Sequence, residues 1–226
     1  MNASIFTVGA LLINVKRCGS IMIALIDYGM GNLMNVEKAI EFAGGDVKIV
    51  LTPEEVLAAD AVILPGVGNF GEGMKHLSEM NLVDAIKDIV KSGKPFLGIC
   101  LGMQMLLEGS EEAPGVEGLG LIKGKNVHFP KGREKVPHMG WNNIHYKQQH
   151  KLLEDVADGS FFYFVHSYYA QLENQDDLIA SSDYILEFPA IIGHDNVFAA
   201  QCHPEKSQDC GIQILKNFVK SISKNY

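Results

Sequence analysis

Two short segments of this sequence carry residue types that do chemistry together. Gly98-Ile-Cys100-Leu-Gly102 has the form Gly-x-nucleophile-x-Gly, the sharp strand-to-helix turn that lifts a nucleophile clear of its surroundings. A cysteine there sits at a helix N-terminus, where exposed N–H groups and the positive dipole end favour the reactive thiolate. Far along the chain, His203-Pro-Glu205 follows the run Val197-Phe-Ala-Ala-Gln-Cys202. Residues i and i+2 of an extended segment share a side, and Pro204 fixes the backbone between them. Glu205 can therefore hold an imidazole whose other nitrogen is offered to a thiol, the division of labour in a Cys–His–Glu triad. Each segment alone also fits a plainer reading: a free cysteine packed at a strand end, and an ordinary turn with a solvated histidine. Their pairing points to nucleophilic catalysis. Cys202 faces the other way on its strand and is expected in the core.

A third segment, Pro65-Gly-Val-Gly-Asn-Phe-Gly71, contains the spacing Gly-x-Gly-x-x-Gly. A dinucleotide site does not fit it. The loop follows the third strand, Pro65 interrupts the strand-to-loop passage, and later acids such as Asp88 fall inside a helical stretch. Glycines also let backbone N–H groups approach a developing oxyanion, and a plain flexible turn remains the other reading. His194, Cys202, His203 and Cys210 contain no Cys-x-x-Cys or comparable ligand pair, so neither a metal nor a cofactor is expected.

Positioning Cys100 and His203 requires strands that end beside each other. From Ile23 to about Glu108, short apolar runs alternate with helical periods: strands at Ile23–Asp27, Val47–Leu51, Ala61–Leu64 and Pro95–Ile99, and helices at Asn32–Phe42, near Leu77–Lys91 and at Leu101–Leu107. Apolar strands separated by helices argue for a parallel sheet covered on both faces. Beyond Pro114 the rhythm becomes hairpin-like around Asn126–Phe129, Trp141–Tyr146, Phe161–Leu172, Tyr184–Phe188 and Val197–Cys202. A last helix, about Gly211–Ser223, places Ile212, Leu215, Phe218 and Val219 on one face. The fold class expected is an open, mostly parallel α/β sheet flanked by helices, with a more antiparallel C-terminal half.

With 226 residues and 47% hydrophobic content, one such domain can bury a full core. The net charge of −8 and scattered basic residues make nucleic acid an unexpected partner. Cysteines at 18, 100, 202 and 210 do not form a dense disulfide framework, which suits a reducing, cytoplasmic setting. The apolar run Ile5–Val15 is too short to span a bilayer. Its basic residues, Lys16 and Arg17, follow it, whereas a secretory signal carries its charge before the apolar stretch. Residues 1–21 are expected to be an extension, or to lie upstream of a start at Met22, and residues 22–226 to form the domain.

The motifs together resemble a known family. Gly98-Ile-Cys-Leu-Gly-Met-Gln104 with His203-Pro-Glu205 resembles the class I, or triad-type, glutamine amidotransferases. The finer likeness is to the glutaminase subunits of imidazole glycerol phosphate synthase. It rests on Ile26-Asp-Tyr-Gly-Met-Gly-Asn-Leu33, Pro65-Gly-Val-Gly68, Phe70-Gly-Glu-Gly-Met74, Glu111-Glu-Ala-Pro-Gly115, Pro137-His-Met-Gly-Trp-Asn142, Phe164-Val-His-Ser-Tyr168 and His203-Pro-Glu-Lys-Ser207.

The resemblance implies that Cys100, His203 and Glu205 hydrolyse L-glutamine to glutamate and ammonia. It places oxyanion donors at Gly66, Val67, Gly68 and Leu101 and glutamine contacts at Gln104, Glu112, Ser167 and Tyr168. Glu112 also stands in the charged run Glu108–Glu112, where a solvated acid is the bland alternative. The partner implied is a cyclase subunit in a heterodimer, which uses the ammonia to make imidazole glycerol phosphate and aminoimidazole carboxamide ribotide in histidine biosynthesis. Asn32, His138, Trp141, Tyr163 and Lys206 match interface positions, although the chain's only Trp could equally pack in the core. Two departures stand out: Cys202 replaces an aromatic residue common before His-Pro-Glu, and residues 1–21 have no counterpart. The rivals are a paralogue feeding sugar amination, a non-catalytic regulatory subunit, and a cysteine peptidase on a similar fold.

Overall fold

The parity of the apolar runs decides the architecture. Strands β1 (Met22–Ile26), β2 (Asp46–Val50), β3 (Ala61–Leu64) and β4 (Phe96–Ile99) alternate with helices α1 (Leu33–Phe42), α2 (Pro53–Ala58), α3 (Phe70–Glu79) and α4 (Leu82–Lys91). Ile23, Leu25, Ala61, Ile63, Leu97 and Ile99 pack into one core. Their neighbours Ala24, Ile26, Val62, Leu64 and Phe96 pack into a second core on the other face. Successive side chains of a strand point to opposite faces, so a continuous apolar run feeds two layers at once. The computed structural model describes residues 21–132 and 134–223. The apolar run Ile5–Val15, Cys18 and the rest of 1–20 lie outside the described residues.

The chain continues through α5 (Leu101–Met105), β5 (Gly109–Ser110), β6 (Gly124–His128), β7 (His138–Asn143), β8 (His145–Tyr146), β9 (Phe161–His166), β10 (Tyr168–Leu172), β11 (Leu178–Tyr184), β12 (Leu186–His194), β13 (Val197–Ala200) and α6 (Gln208–Ser223). The main sheet runs β2-β1-β3-β4-β13-β12-β11-β8. Its links are parallel from β2 through β13 and antiparallel from β13 to β8. This is the mixed sheet that the change of rhythm after Pro114 implies. Two smaller units stand beside it, the sheet β10-β6-β5 and the ribbon β7-β9.

Three local expectations are corrected. The stretch read as one helix near Leu77–Lys91 is two, α3 and α4, separated where Asn81 takes a left-handed conformation with φ 57°. α3 begins inside the segment read as glycine loop, because Asn69 accepts from the Glu72 N–H at its N-cap and the Glu112 carboxylate accepts from the Phe70 N–H. Capping by a residue so distant in sequence is invisible to local pattern reading. Helix α5 stops at Met105 rather than Leu107 because the segment Leu119–Ile122 donates N–H groups to the carbonyls of Met105 and Leu106. The dipole argument for Cys100 is weakened accordingly, since a five-residue helix sums few peptide dipoles.

The turn into α5 needs its glycines. A Cβ on Gly102 would fall 1.8 Å from the Leu64 carbonyl oxygen, and one on Gly98 would fall 3.0 Å from the Gly102 backbone. Gly102→Ala is expected to lower unfolding free energy by about 2 kcal/mol or more, read from urea midpoints, and a variant as stable as the parent would refute the close-packing account.

Candidate functional site

β4 and β13 are neighbours and parallel, with Ile99 opposite Ala200. Both strands therefore end on the same edge of the sheet, and the residues just past them are forced together. Cys100 follows β4, and its N–H bonds the Ala200 carbonyl at 2.8 Å. Its backbone is held at φ 54°, ψ −107°, a region that costs a non-glycine residue about 1–3 kcal/mol. His203 lies three residues past β13 and is tied to the ribbon by its N–H bond to the Tyr163 carbonyl, 2.9 Å. Ser207 closes this link, donating to the His203 carbonyl and accepting from the Tyr163 N–H.

His203 Nδ1 and Glu205 Oε1 are 2.8 Å apart, both side chains almost wholly buried. The route to this contact differs from the extended geometry inferred from the sequence: Pro204–Lys206 is a 3-10 turn that curls Glu205 back under the ring. The other nitrogen, Nε2, is buried without another hydrogen-bond partner and neighbours the Cys100 thiol. Burial alone would lower the basicity of His203, but Cys100 and Glu205 outweigh it and push the imidazole up to about 10. Cys202 is fully buried, and burial, with Glu205 and Cys100 nearby, pushes its thiol up and away from reactivity.

A cavity of about 230 Å³ opens over Cys100 and is walled by Val67, Gly68, Leu101, Gln104, Glu112, Ser167 and Tyr168. All of those lining residues were singled out from the sequence; Gly66, on the same loop as Val67 and Gly68, does not line the cavity. Pro137, Val165 and His166 complete the wall. A larger, shallower groove of about 810 Å³ runs past Glu108, Pro114 and Glu173, and neither Cys100 nor His203 lines it. Ser167 and Tyr168 reach the cavity because the chain leaves the ribbon there and joins β6 of the small sheet. Leu101 is engaged in this conformation: its N–H donates to the Gly66 carbonyl at 3.3 Å.

The family model of the class-I glutamine amidotransferases matches residues 24–222. The chain belongs to that family. Curated relatives include the imidazole glycerol phosphate synthase subunit HisH of Desulfitobacterium hafniense, 49% identical over 90% of this chain and 96% of the relative. The subunit of the same name from Methanosarcina acetivorans is 50% identical over 88% of this chain and 98% of its own length. The fold is also that of a solved glutamine amidotransferase, with a TM-score of 0.72 at 17% identity, covering 90% of this chain and all of that one. The structure of PurLQS from Thermotoga maritima superposes with a TM-score of 0.71 at 17% identity, covering 92% of this chain and 99% of that one.

Among the positions matched to an amidotransferase interface, the structure brings three together. Trp141 and Tyr163 are cross-strand partners on the ribbon with ring centroids 6.1 Å apart, and the Lys206 ammonium lies 5.9 Å over the Tyr163 ring. Trp141 is 47% exposed, so it is not the packed core residue that the alternative reading allowed. Asn32 caps α1 through the Asn35 N–H, and α1 packs near the Pro204–Lys206 turn. His138 is different. It is 3% exposed and stacked between Phe164 and Tyr184, at 5.1 and 4.1 Å, so it does not reach the surface of the free chain.

The sequence reading missed two features of this amidotransferase site. One is Gln201, fully buried between Cys100 and Gln104; a polar residue inside the run Val197–Cys202 was the available signal. The other is a buried pair, His138 Nδ1 and His166 Nε2, 3.0 Å apart. Burial lowers His138 to about 4. Burial also takes His166 to about 3, with lesser effects from neighbouring histidines.

Both rings are neutral in the folded protein, so as pH falls the unfolded chain takes up protons first. The stability gained by neutrality is complete above about 6.5 and is lost progressively as pH falls through about 4. Urea unfolding is expected to show a loss of about 4 kcal/mol from this pair between pH 7 and pH 5, about 2 from each ring, to which His150, also lowered to about 4 by burial, adds. His138→Gln should reduce that slope, whereas an identical slope would show that the pair does not titrate this way.

Proposed function

We propose that this chain hydrolyses L-glutamine to glutamate and ammonia through Cys100, His203 and Glu205, and hands the ammonia to the cyclase subunit of imidazole glycerol phosphate synthase in histidine biosynthesis. The observation that carries the chemistry is the placement of the Cys100 sulfur at the floor of a small cavity, beside an imidazole held by a buried carboxylate. The relatives sharing about half of the sequence over nearly their full lengths support the pathway. Residues 22–226 are assigned to the domain, and 1–21 are left outside it.

In this reading the Cys100 thiolate attacks the side-chain amide carbon of glutamine. Negative charge develops on the amide oxygen, where N–H groups of the Gly66–Gly68 loop and Leu101 are the nearest donors. Collapse of the adduct breaks the C–N bond, His203 supplies a proton, and ammonia leaves. His203 then removes a proton from water, which attacks the thioester carbon, and glutamate departs with the thiolate restored. Glu205 keeps the ring in register and stays ionised throughout. Gln104, Glu112, Ser167 and Tyr168 line the space for the amino-acid end of glutamine.

The docking face is the outward side of the β7-β9 ribbon. Alternation puts Met139, Trp141, Tyr163 and Phe161 on that side, and Met139, Trp141 and Phe161 are 64%, 47% and 58% exposed. Exposed aromatics rimmed by a lysine suit a protein partner rather than water. No described helix is long and apolar enough to cross a membrane, and Cys100, Cys202 and Cys210 are free thiols.

Glutamate release should be low for the chain alone and rise strongly with the cyclase loaded with its nucleotide ligand; release indifferent to that partner would sink the pathway assignment. Cys100→Ala should cut release at least about 10³-fold while shifting the thermal midpoint by no more than about 3 °C. A variant keeping near-normal turnover would remove Cys100 from the mechanism. Trp141→Ala should weaken cyclase binding by about 2 kcal/mol, roughly thirtyfold in Kd by calorimetry; unchanged affinity would move the interface elsewhere.

A further inference from the structure

The polarity of one buried hydrogen-bond chain can be read outward from a backbone carbonyl, whose role as acceptor is not in doubt. The Tyr168 carbonyl faces His166 Nδ1 at 2.9 Å and Gln104 Nε2 at 3.1 Å. An amide oxygen in the second position would set two acceptors against each other, so the Gln104 atom there is the NH₂ group. The second hydrogen of that NH₂ points to Gln201 Oε1, 3.1 Å away. With its oxygen so engaged, the Gln201 amide has one orientation left, and its Nε2 lies 3.9 Å from the Cys100 sulfur. His166 Nδ1 carries its proton, so Nε2 accepts from His138 Nδ1 at 3.0 Å, and His138 Nε2 accepts from Asn142 Nδ2 at 3.4 Å.

Taking Cys100 as the nucleophile of the proposed glutaminase, we propose that Gln201 is a positioning residue, its amide N–H aimed at the sulfur to favour and orient the thiolate. A buried donor facing a sulfur strengthens as charge grows on it, because hydrogen bonds to an ionised acceptor are about twice as strong as neutral ones. Gln201 is fully buried, so no water competes for that donor. It lies one residue past β13, on the segment that leads to His203, and its own N–H bonds the Ala190 carbonyl at 2.9 Å. The amide is thus locked at both its backbone and its oxygen. This supplies the thiolate stabilisation that the five-residue helix α5 is too short to provide alone. The same chain ends at Asn142, beside Trp141 of the docking ribbon.

The test is the pH profile of Cys100 alkylation by iodoacetamide in the purified full chain, followed by mass mapping of the Cys100 peptide so that Cys18, Cys202 and Cys210 do not interfere. The ionisable groups around the sulfur are Tyr28, Glu112, His166, Tyr168, Cys202 and His203, with Glu205 behind the last. All are kept in Gln201→Met and Gln201→Leu, which preserve bulk and remove the donor. In either variant that folds, the midpoint of the profile is expected to move up by about 1, with alkylation at pH 7 slowed about tenfold and the high-pH plateau unchanged. Gln104→Met, which frees the Gln201 amide to rotate, should move it part of the way.

Superimposable profiles in a folded Gln201→Met or Gln201→Leu protein would overturn the assignment while leaving the triad reading intact. A Cys100 that never alkylates in the parent chain would overturn both.

Discussion

Everything in the site depends on the parallel pairing of β4 with β13. Parallel neighbours end on the same sheet edge, so a residue just after each strand is delivered to one point whatever their separation in sequence. The bond from the Cys100 N–H to the Ala200 carbonyl and the register of Ile99 against Ala200 fix that meeting point. β1 and β3 end on the same edge, so Val67 and Gly68 of the loop after β3 reach the cavity wall while Tyr28 packs against Gly66. A methyl group on Gly66 would sit 2.1 Å from the Tyr28 hydroxyl, a measure of how tightly that edge is packed.

The edge carries costs that the two cores beneath it offset. Cys100 holds a strained backbone conformation, His203 and Glu205 are buried as a pair, and the Tyr28 hydroxyl is buried without a partner. Such features persist only where surrounding packing over-determines them. Here the packing comes from strands whose alternate residues feed two separate layers, one against α1 and α6, the other against α3 and α4. The same rigidity serves the electrostatics: a buried donor or ring keeps its orientation because no water or alternative partner is within reach.

The second constraint is the path of the chain between β9 and β10. β9 belongs to the outward ribbon and β10 to the small sheet, so the intervening Ser167 is pinned where the two meet, its carbonyl accepting from the Phe129 N–H. One face of the ribbon presents Trp141 and Tyr163 to the exterior. The other presents His138, Phe164 and His166 to the interior, where His166 touches the cavity. A single two-stranded unit therefore joins the proposed docking face to the wall of the proposed glutamine pocket. His138 looked like an interface residue by its place in the motif Pro137–Asn142, but strand alternation turns it inward.

The sequence alone determined the pieces with a local cause. Continuous apolar runs specified strands buried on both faces; Gly98 and Gly102 specified a tight turn around a cysteine; Pro204 between His203 and Glu205 specified a short rigid link. Those features follow from chain stereochemistry and hydrophobic period, which a reader of residues can apply directly. Tertiary structure decided what depends on distant partners. The Glu112 carboxylate adds a distant cap to α3 beyond the local Asn69, the Leu119–Ile122 segment cuts α5 short, and Gln104 sets which end of the Gln201 amide meets the sulfur. None of these has a signature in its own neighbourhood, because a hydrogen bond between residues far apart in sequence exists only after the chain has folded around it.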